Sequence, residues 1–430
     1  MRRTNSHITG LGLAVLSACE AADLCSWLVP ASSWNGRPSM EPINGSLPNV
    51  RQVEIDGLRG LAITLVVLGH ISQRVYRFNF EAHEIGPISR YIFDTTGASA
   101  SGVYLIFVIS GFLINGSLTR EINTGRYELA KFYARRVLRI APPYLILLFV
   151  TRLALISTGW VPQRVTQFQT QPTSLTESLL ASSLFLHQVV YGTLPRLFPP
   201  GWTLEVEMHF YILSPLLCLG FAHLANRKGL GAASAWTLSA GGVIALVSLA
   251  SGSDRLQHTL LVFIPLFLLG IVANAVWQNG WRPTSALMRA LGFPAFLAFA
   301  GLQPWVSGIG MEIVARMVLI AIMFSALASG RGFFYWLCTR PGLAQVGIAS
   351  YSVYLVHVQV VQAVFLVTER YCGSLGGIGM AIVVAVSVVM ISVIATVFYC
   401  IIEKPLLGYA AAFRKGVPLH VKNAVRRMLV

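Results

Sequence analysis

The chain has 430 residues, of which 55% are hydrophobic and only 11% are charged, and its mean hydropathy is +0.66. Soluble domains carry about a quarter charged residues, so this composition excludes an ordinary soluble enzyme and indicates a protein with many membrane-spanning helices. The formal net charge of +15 would favour nucleic-acid binding in a soluble protein, but in a membrane protein it first reflects which loops face the cytoplasm.

Residues 1–50 differ from the rest of the chain, because they are rich in Ser, Asn, Pro and Gly and contain one short apolar run, Ile8–Ala18, behind two arginines. This run has the form of a secretory signal, and residues 16–19 have the form of a lipoprotein cleavage site. Export of the amino terminus would contradict the orientation that the internal loops favour. We therefore interpret residues 1–50 as a flexible extension or as the product of a start codon placed too far upstream.

Apolar segments of about 20 residues then recur along the chain. The segment 174–190 is shorter and interrupted by Ser and His, so it predicts an interfacial or re-entrant helix. The fold class is therefore all-α, a polytopic transmembrane bundle of about ten spans, with a membrane domain over 51–408 and a basic cytoplasmic tail over 409–430. The predicted spans are 57–76, 97–117, 141–158, 203–222, 233–251, 259–277, 286–306, 311–329, 345–367 and 377–401.

The distribution of basic residues predicts the orientation. If the amino terminus is inside, 23 of the 32 Lys and Arg residues fall in cytoplasmic segments and 7 in the opposite loops. The positive-inside rule accounts for this asymmetry, so nucleic-acid binding is not needed to explain the charge and none is expected. We predict an integral protein of the plasma (inner) membrane with both termini in the cytoplasm.

The first span carries a cation and an imidazole on one helix face. Arg59 and His70 are eleven residues apart, close to three helical turns, which places His70 roughly 16 Å farther along the same face. Ionisable groups inside a span are costly and commonly functional. We expect His70 to be a base deep in the membrane, although helix anchoring by Arg59 and a plain carbonyl contact for His70 stay open.

The second and third spans add a close-packing motif and a cationic pair. Ser110 is followed by a glycine that permits close backbone approach. Arg136 and Arg139 have i, i+3 spacing, so their guanidinium groups share a helix face and could hold a pyrophosphate, although positive-inside topology alone explains part of this cluster. The sequence has neither a G-x-x-x-x-G-K-[ST] loop nor a G-x-G-x-x-G turn that opens a helix, so nucleotide hydrolysis and dinucleotide binding are not supported.

The fourth and ninth spans carry the remaining polar motifs. Glu207 and Tyr211 are i, i+4 and share a face. A carboxylate from Glu207 beside His70 would orient the imidazole and raise its basicity. Ser350, Tyr354 and His357 fall on one helical stripe, a pattern that is more typical of contacts between helices than of a site.

The six cysteines are scattered, without C-x-x-C pairs, and most lie in or beside apolar runs. There a thiol behaves as a small hydrophobic group. Neither a zinc site nor a disulfide framework is predicted, and no metal is expected.

Taken together, these motifs resemble the acyltransferase-3 family of integral membrane acyltransferases. The chain departs from the family pattern at Thr203, where Ser is usual, and at His209, where a smaller polar residue is commoner. The matching segments occur in the family's order over about residues 52–408 and are Asp56–Gly60 with His70, Ser110–Ile114, Arg135–Ile140, Trp202–Leu204 with Glu207 and Phe210–Tyr211, Ser350–Ser352 with Tyr354–Leu355 and His357, and Glu403–Pro405.

The resemblance implies ten spans, a cytosolic acyl-CoA (acetyl-CoA) as co-substrate with no permanently bound cofactor, and acylation of a carbohydrate or small molecule at the outer face. It implies the stand-alone form, without a fused hydrolase-like domain. It also implies catalytic roles for His70 and Glu207 and acyl-CoA binding by Arg59, Arg136 and Arg139. Supporting roles are expected for Ser110, Tyr211, Tyr354 and His357.

The leading hypothesis is a membrane-embedded O-acyltransferase of the cell envelope that moves an acyl group, expected to be acetyl, to a hydroxyl of a carbohydrate or related acceptor. The alternative is a secondary transporter or flippase that uses Arg152, Glu207 and Arg316 as a substrate path. Such transporters commonly have two related halves. No repeat relates the first and second five spans here, which favours the enzyme.

Overall fold

A computed structural model describes residues 52–79, 100–125, 127–158, 174–302, 308–372, 375 and 377–414. This part of the chain is helical, with no strand. The predicted extension, residues 1–50, and most of the predicted tail, residues 415–430, lie outside it.

Helices are numbered here in chain order, and a π-helical turn, Tyr399–Glu403, separates the last two. They are α1 Val53–Asn79, α2 Ala100–Asn123, α3 Leu129–Thr158, α4 Leu175–Ser183, α5 His187–Tyr191, α6 Gly201–Lys228, α7 Leu230–Ala250, α8 Asp254–Gln257, α9 Leu260–Gln278, α10 Ala286–Ala300, α11 Ile309–Ala328, α12 Phe333–Cys338, α13 Pro341–Ile348, α14 Ser350–Cys372, α15 Gly377–Phe398 and α16 Lys404–Arg414.

Within the described residues, nine helical segments are long and apolar enough to cross a membrane, which confirms an all-α polytopic fold. The seventh predicted span, 286–306, differs, because α10 has only 15 residues. At 1.5 Å per residue α10 is roughly 22 Å long, which is shorter than the hydrocarbon core of about 30 Å. Helix α10 is apolar and packs along α11. That 286–306 crosses the membrane stays a prediction. The predicted count of ten spans and the predicted cytoplasmic carboxyl terminus both depend on it.

The segment predicted as one interfacial or re-entrant helix, 174–190, forms two short helices, α4 and α5. The break lies at Phe185, whose φ of 57° belongs to the left-handed region that a continuing helix cannot use. Helix α4 begins at an N-cap, Ser174, whose side chain accepts a hydrogen bond from the Thr176 amide. The apolar content of the segment was visible in the sequence, but this backbone break was not.

Polar contacts hold the two short helices together. The imidazole of buried His187 lies with Nε2 3.2 Å from Ser178 Oγ and with Nδ1 3.0 Å from the Thr193 carbonyl. Burial lowers the pKa of His187 to about 4, so this ring is neutral at physiological pH. At the start of α5 the Glu205 carboxylate accepts hydrogen bonds from the amides of Gln188 and Val189. These contacts attach α4 and α5 to the first turns of α6.

The centre of the bundle is the crossing of α2 and α9, where two glycines bring the backbones into contact. A Cβ added at Gly111 would lie 2.1 Å from the Phe267 carbonyl oxygen, and one added at Gly270 would lie 2.0 Å from that of Val108. Only a residue without a side chain fits such a crossing. Because Gly111 follows Ser110, this contact also fixes where Ser110 points.

Helix α1 packs equally closely against α12 and α13. A Cβ at Gly57 would lie 1.7 Å from the Cys338 carbonyl oxygen, and one at Gly347 would lie 1.8 Å from that of Asp56. These contacts fix the rotation of α1 about its axis. Its functional residues, Arg59 and His70, both face α14.

Candidate active site

A cavity lies between α1, α2, α3, α6 and α14. Apolar side chains of α2 line one part of it, and charged and hydroxyl groups from all five helices line the rest. The predicted site residues in this lining are Arg59, Ser110, Arg136, Arg139, Glu207, Tyr211 and Tyr354.

The Glu207 carboxylate is held by two hydroxyl groups. Ser110 Oγ donates to Glu207 Oε1 over 2.7 Å, and the Tyr211 hydroxyl donates to the same oxygen over 2.6 Å. The second contact is the i, i+4 pair that the sequence predicted on α6. Because both protons go to Oε1, the other carboxylate oxygen remains available to a molecule in the cavity.

Arg136 and Arg139 line the cavity without an ion-pair partner among the described residues. The Arg136 guanidinium lies over the rings of Phe132 and Tyr211, 5.5 and 5.6 Å from their centroids, and no described residue accepts a hydrogen bond from its buried Nε. By contrast, Arg135 Nη2 lies 2.6 and 2.8 Å from the two carboxylate oxygens of Glu121. On α3, Glu121 therefore neutralises the charge of Arg135, whereas Arg136 and Arg139 have no ion-pair partner among the described residues.

The third cavity arginine, Arg59, is oriented by a neutral group. Its Nη2 donates to Ser350 Oγ over 2.9 Å, so its positive charge is not cancelled by this contact. The first turn of α14 is fixed in turn by Glu403, whose carboxylate accepts from the Ser352 amide over 3.1 Å and from the Ser352 hydroxyl. A carboxylate in this place caps the helix, since the first amides of α14 have no partner within it.

Tyr354 connects α14 with the start of α6. Its hydroxyl donates to the Pro200 carbonyl over 2.5 Å and lies 2.5 Å from Thr203 Oγ1. Since a phenol has one proton, the Thr203 hydroxyl is the donor in the second contact. The departure from Ser at this position therefore keeps the hydrogen bond.

The two histidines, His70 and His357, form a separate layer beside Tyr354 and are not among the residues that line the cavity. Their ring centroids are 5.1 Å apart, and the His357 ring lies 5.6 Å from that of Tyr354. His357 Nδ1 contacts the Tyr354 carbonyl over 2.6 Å. The sequence analysis considered a Glu207 carboxylate beside His70; in the structure the His357 ring lies beside His70, and Glu207 accepts hydrogen bonds from Ser110 and Tyr211.

Sequence reasoning left three structural contributors without a role. Ser350 orients Arg59, Glu403 caps α14, and the Tyr351 hydroxyl donates to the Ile140 carbonyl over 2.6 Å. The Tyr351 contact lies beside Pro142 and Pro143, which remove backbone donors inside α3 and weaken the helix there.

The other intramembrane arginines have protein partners. Arg316 is fully buried, pairs with Glu312 over 2.9 Å, and donates to the Phe299 carbonyl over 2.7 Å. Arg152 donates to the Thr176 hydroxyl over 3.0 Å. Arg316 therefore anchors α11 to α10, and this arrangement does not favour the substrate path of the transporter alternative. Across the described residues, no group of three His, Cys, Asp or Glu side chains could hold a metal ion.

Three comparisons relate the chain to known proteins. The acyltransferase-3 family model, described as an acyltransferase domain, matches residues 52–400. "Nodulation protein 10" of Rhizobium leguminosarum bv. viciae is 24% identical over 307 residues, which cover 64% of this chain and 76% of the relative. No solved structure matches the chain significantly.

Two staphylococcal relatives are longer proteins. "O-acetyltransferase OatA" of Staphylococcus aureus is 22% identical over 376 residues, covering 82% of this chain and 56% of the relative. A putative O-acetyltransferase of the same species is 20% identical over 336 residues, covering 72% of this chain and 50% of the relative. The match thus spans about half of each of these relatives. Because the family model matches most of this chain, the chain belongs to the acyltransferase-3 family of integral membrane acyltransferases.

Proposed function

We propose that this membrane acyltransferase moves an acyl group, in the simplest case acetyl, from cytosolic acyl-CoA to a hydroxyl of a carbohydrate or related small-molecule acceptor. Two relatives that carry the name O-acetyltransferase support an oxygen acceptor. The observation that carries the proposal is that Arg136 and Arg139 line a cavity together with the Glu207 carboxylate and that neither arginine has an ion-pair partner among the residues that the structure describes.

The donor is proposed to bind through its phosphates. Guanidinium groups form paired, charge-assisted hydrogen bonds with phosphate, and such bonds are about twice as strong as neutral ones. Arg136 and Arg139 are one helical turn apart, and Arg59 faces the same cavity. A buried, unpaired cation is costly to a folded protein, and an anionic ligand would offset that cost.

The chemistry requires a base, and His70 is proposed for it. The acceptor oxygen attacks the thioester carbonyl while its proton passes to an unprotonated nitrogen of His70. The C–O bond forms, the C–S bond breaks, and the CoA thiolate takes the proton from the His70 imidazolium. A positioned base of this kind contributes typically 10²–10⁴-fold to the rate.

Glu207 is proposed to bind the substrate in the cavity and not to orient the imidazole of His70. Ser110 and Tyr211 hold one of its oxygens, and the other is free to accept a hydrogen bond from a substrate hydroxyl or amide. Glu207→Gln keeps an acceptor oxygen but removes the charge. If Glu207 orients the substrate by its charge, this variant lowers kcat/KM with unchanged protein abundance.

The proposed orientation places both termini and residues 118–140 in the cytoplasm. Cys372 is exposed and lies on the predicted outer side, so it serves as a native reporter. An impermeant maleimide is expected to label Cys372 in intact cells. Asn123→Cys, introduced with Cys372→Ser, is expected to react only after permeabilisation, and labelling of Asn123→Cys in intact cells would reverse the orientation.

The test of function is a transfer assay with the purified protein in nanodiscs. Radiolabelled acetyl-CoA is supplied with a panel of sugars, and transfer of label to a sugar is measured with wild-type protein and with His70→Ala. Label transfer that disappears in His70→Ala supports the proposal. Uptake of acceptor into sealed vesicles without acyl transfer would favour the transporter instead.

A further inference from the structure

The first turn of α14 holds three different parts of the bundle through three consecutive side chains, all of them buried. The Ser350 hydroxyl accepts a hydrogen bond from Arg59 of α1 over 2.9 Å, and the Tyr351 hydroxyl donates to the Ile140 carbonyl of α3 over 2.6 Å. The third residue, Ser352, donates its amide and its hydroxyl to the π-helical turn. This first turn therefore positions one cavity arginine directly and contacts the helix that carries the other two.

The acceptor in the π-helical turn is the carboxylate of Glu403. The Lys404 amide donates to the Tyr399 carbonyl, five residues back, and the next residue, Pro405, has no amide hydrogen. A π-turn holds one more residue than an α-turn, and such turns are frequent at functional sites. Here the turn ends with Glu403 buried inside the bundle, and α16, which follows, packs along α3.

A buried carboxylate is costly unless its charge is met, so the position of Glu403 calls for an explanation. Both hydrogen bonds from Ser352 go to one oxygen, Oε2. The start of a helix also attracts negative charge, because its first amides point at the carboxylate. Arg59 and Arg139 attract the carboxylate electrostatically, but no described ion pair joins it to either arginine. The observed contacts therefore favour holding of the turn over neutralisation of the arginines.

We propose that Glu403 is a positioning residue for the donor site: through Ser352 it holds the first turn of α14, which in turn fixes the separation between Arg59 and the arginines of α3. This inference rests on the proposed function of these arginines. A pyrophosphate can contact several guanidinium groups at once only if their spacing matches its oxygens, and a site built in advance binds more tightly. Glu403 is not among the described residues that line the cavity, so it acts on the donor through others.

Two substitutions of Glu403 separate hydrogen bonding from charge. Glu403→Gln can place its amide oxygen at the position of Oε2, so it keeps the acceptor for Ser352 and loses the charge. Glu403→Ala loses both. In calorimetric titrations of the protein in nanodiscs, we expect the Kd for CoA to stay within about twofold of wild type for Glu403→Gln and to rise about five- to tenfold for Glu403→Ala. The KM for acetyl-CoA should follow the Kd, with kcat nearly unchanged.

Glu205 provides a matched control, because it has the same structural task in another part of the bundle. It is buried, and its carboxylate accepts hydrogen bonds from the amides of Gln188 and Val189 at the start of α5. Glu205→Ala therefore removes a comparable contact with a helix start and should lower the unfolding temperature by a similar amount. Its Kd for CoA is expected to stay within about twofold of wild type, since α5 holds none of the cavity arginines.

A double-mutant cycle tests the route from Glu403 to the arginines. Ser350→Ala/Tyr351→Phe removes the hydrogen bonds that the turn makes to α1 and α3 and leaves the contact between Ser352 and Glu403. In this background Glu403→Ala has no remaining route, so we expect it to change the Kd for CoA by less than about twofold. An undiminished effect of Glu403→Ala in this background would overturn the inference.

A measurement without ligand separates this inference from the proposed function. In ¹⁵N-arginine-labelled protein in nanodiscs, the Arg59 side-chain signal, assigned by its loss in Arg59→Lys, is expected to be single in the wild type and in Glu403→Gln and to be shifted or split in Glu403→Ala. The inference is overturned by an identical signal in all three proteins, by equal Kd values for the two Glu403 variants, or by a Glu205→Ala variant that weakens CoA binding as much as Glu403→Ala. Absence of CoA binding to the wild type would instead overturn the proposed donor site, and the Arg59 signal would still decide whether Glu403 positions that arginine.

Discussion

Two places in this bundle bury arginine, and they differ in how its charge is met. At α11, Arg316 has a carboxylate 2.9 Å away, a backbone carbonyl at 2.7 Å, and the rings of Tyr104 and Phe299 beneath its guanidinium. In the cavity, the Arg136 guanidinium lies over the rings of Phe132 and Tyr211, and its Nε has no hydrogen-bond partner in the part of the chain that the structure describes. The charge of the first cation is met by groups of the protein, whereas we propose that the second binds an anionic ligand.

Intramembrane arginines of this protein can be sorted by their hydrogen bonding. Burial alone marks both sites as unusual, because charges in a membrane domain are costly. The local hydrogen bonding separates them, since a satisfied guanidinium leaves nothing to bind a ligand. Arg135 and Arg136 are adjacent on α3, yet Arg135 is paired with Glu121 and Arg136 is not. Two neighbouring arginines can therefore differ in whether they are able to bind a ligand.

The greatest loss of stability is expected when the ion pair between Arg316 and Glu312 is broken. Glu312→Gln leaves the Arg316 charge buried without its partner, and removal of one member of a buried pair costs about 3–5 kcal/mol of folding free energy. We expect a strong loss of folded protein, measured by thermal unfolding in detergent and by membrane abundance. The double variant Glu312→Leu/Arg316→Met removes both charges and is expected to recover much of the stability. Equal instability of the double variant would show that the pair is not the cause.

The next effect concerns the proposed base. His70→Gln keeps the size and a hydrogen bond of the side chain but cannot take a proton near neutral pH, so we expect kcat to fall by at least about 100-fold with normal protein abundance. Steady-state turnover of acetyl-CoA in nanodiscs checks this, with His209→Gln as the control. If His70→Gln kept more than about a tenth of wild-type turnover, the assignment would be withdrawn.

A smaller, different effect is expected from the cavity cations. Phosphate contacts are made equally in the ground state and the transition state, so Arg136→Ala and Arg139→Ala should raise KM for acetyl-CoA and leave kcat nearly unchanged. Loss of one charge-assisted contact corresponds to roughly 10- to 100-fold in KM. Unchanged KM with reduced abundance would instead make these residues helix anchors, like Arg316.

The smallest effect is expected outside the cavity. Lys131 pairs with Glu128 over 2.6 Å, and both side chains are partly exposed. An exposed ion pair contributes under about 1 kcal/mol, so Lys131→Ala should change neither the unfolding temperature appreciably nor the KM for acetyl-CoA. A KM shift as large as that of Arg136→Ala would mean that general positive charge on α3, and not the cavity geometry, binds the donor.

Much of the fold could be predicted from the sequence, because span length and hydropathy are local properties. Glycines at Gly57 and Gly111 were visible, but their partners on other helices were not. The short α10 also escaped detection, since apolar residues continue beyond its helical end and Gly301 follows it directly. Hydropathy measures composition and does not report where a helix ends.

Seven of the nine predicted site residues line the cavity, whereas His70 and His357 do not, and contacts between different helices could not be predicted. Helical spacing placed Glu207 with Tyr211 on α6 and Arg136 with Arg139 on α3, because the members of each pair lie on the same helix. Spacing could not assign the neighbour of His70, which depends on how α1 packs against α14. The roles of all these residues remain predictions until variants are measured.

The central claim is that the unpaired cavity arginines bind the phosphates of the acyl donor. Calorimetric titration of CoA into the nanodisc-embedded protein tests it without knowledge of the acceptor. For Arg136→Ala/Arg139→Ala we predict at least a tenfold higher Kd than for the wild type at an unchanged unfolding temperature, and for Arg135→Ala a Kd within about twofold of the wild type. Binding of CoA to the double variant with wild-type affinity would contradict the claim.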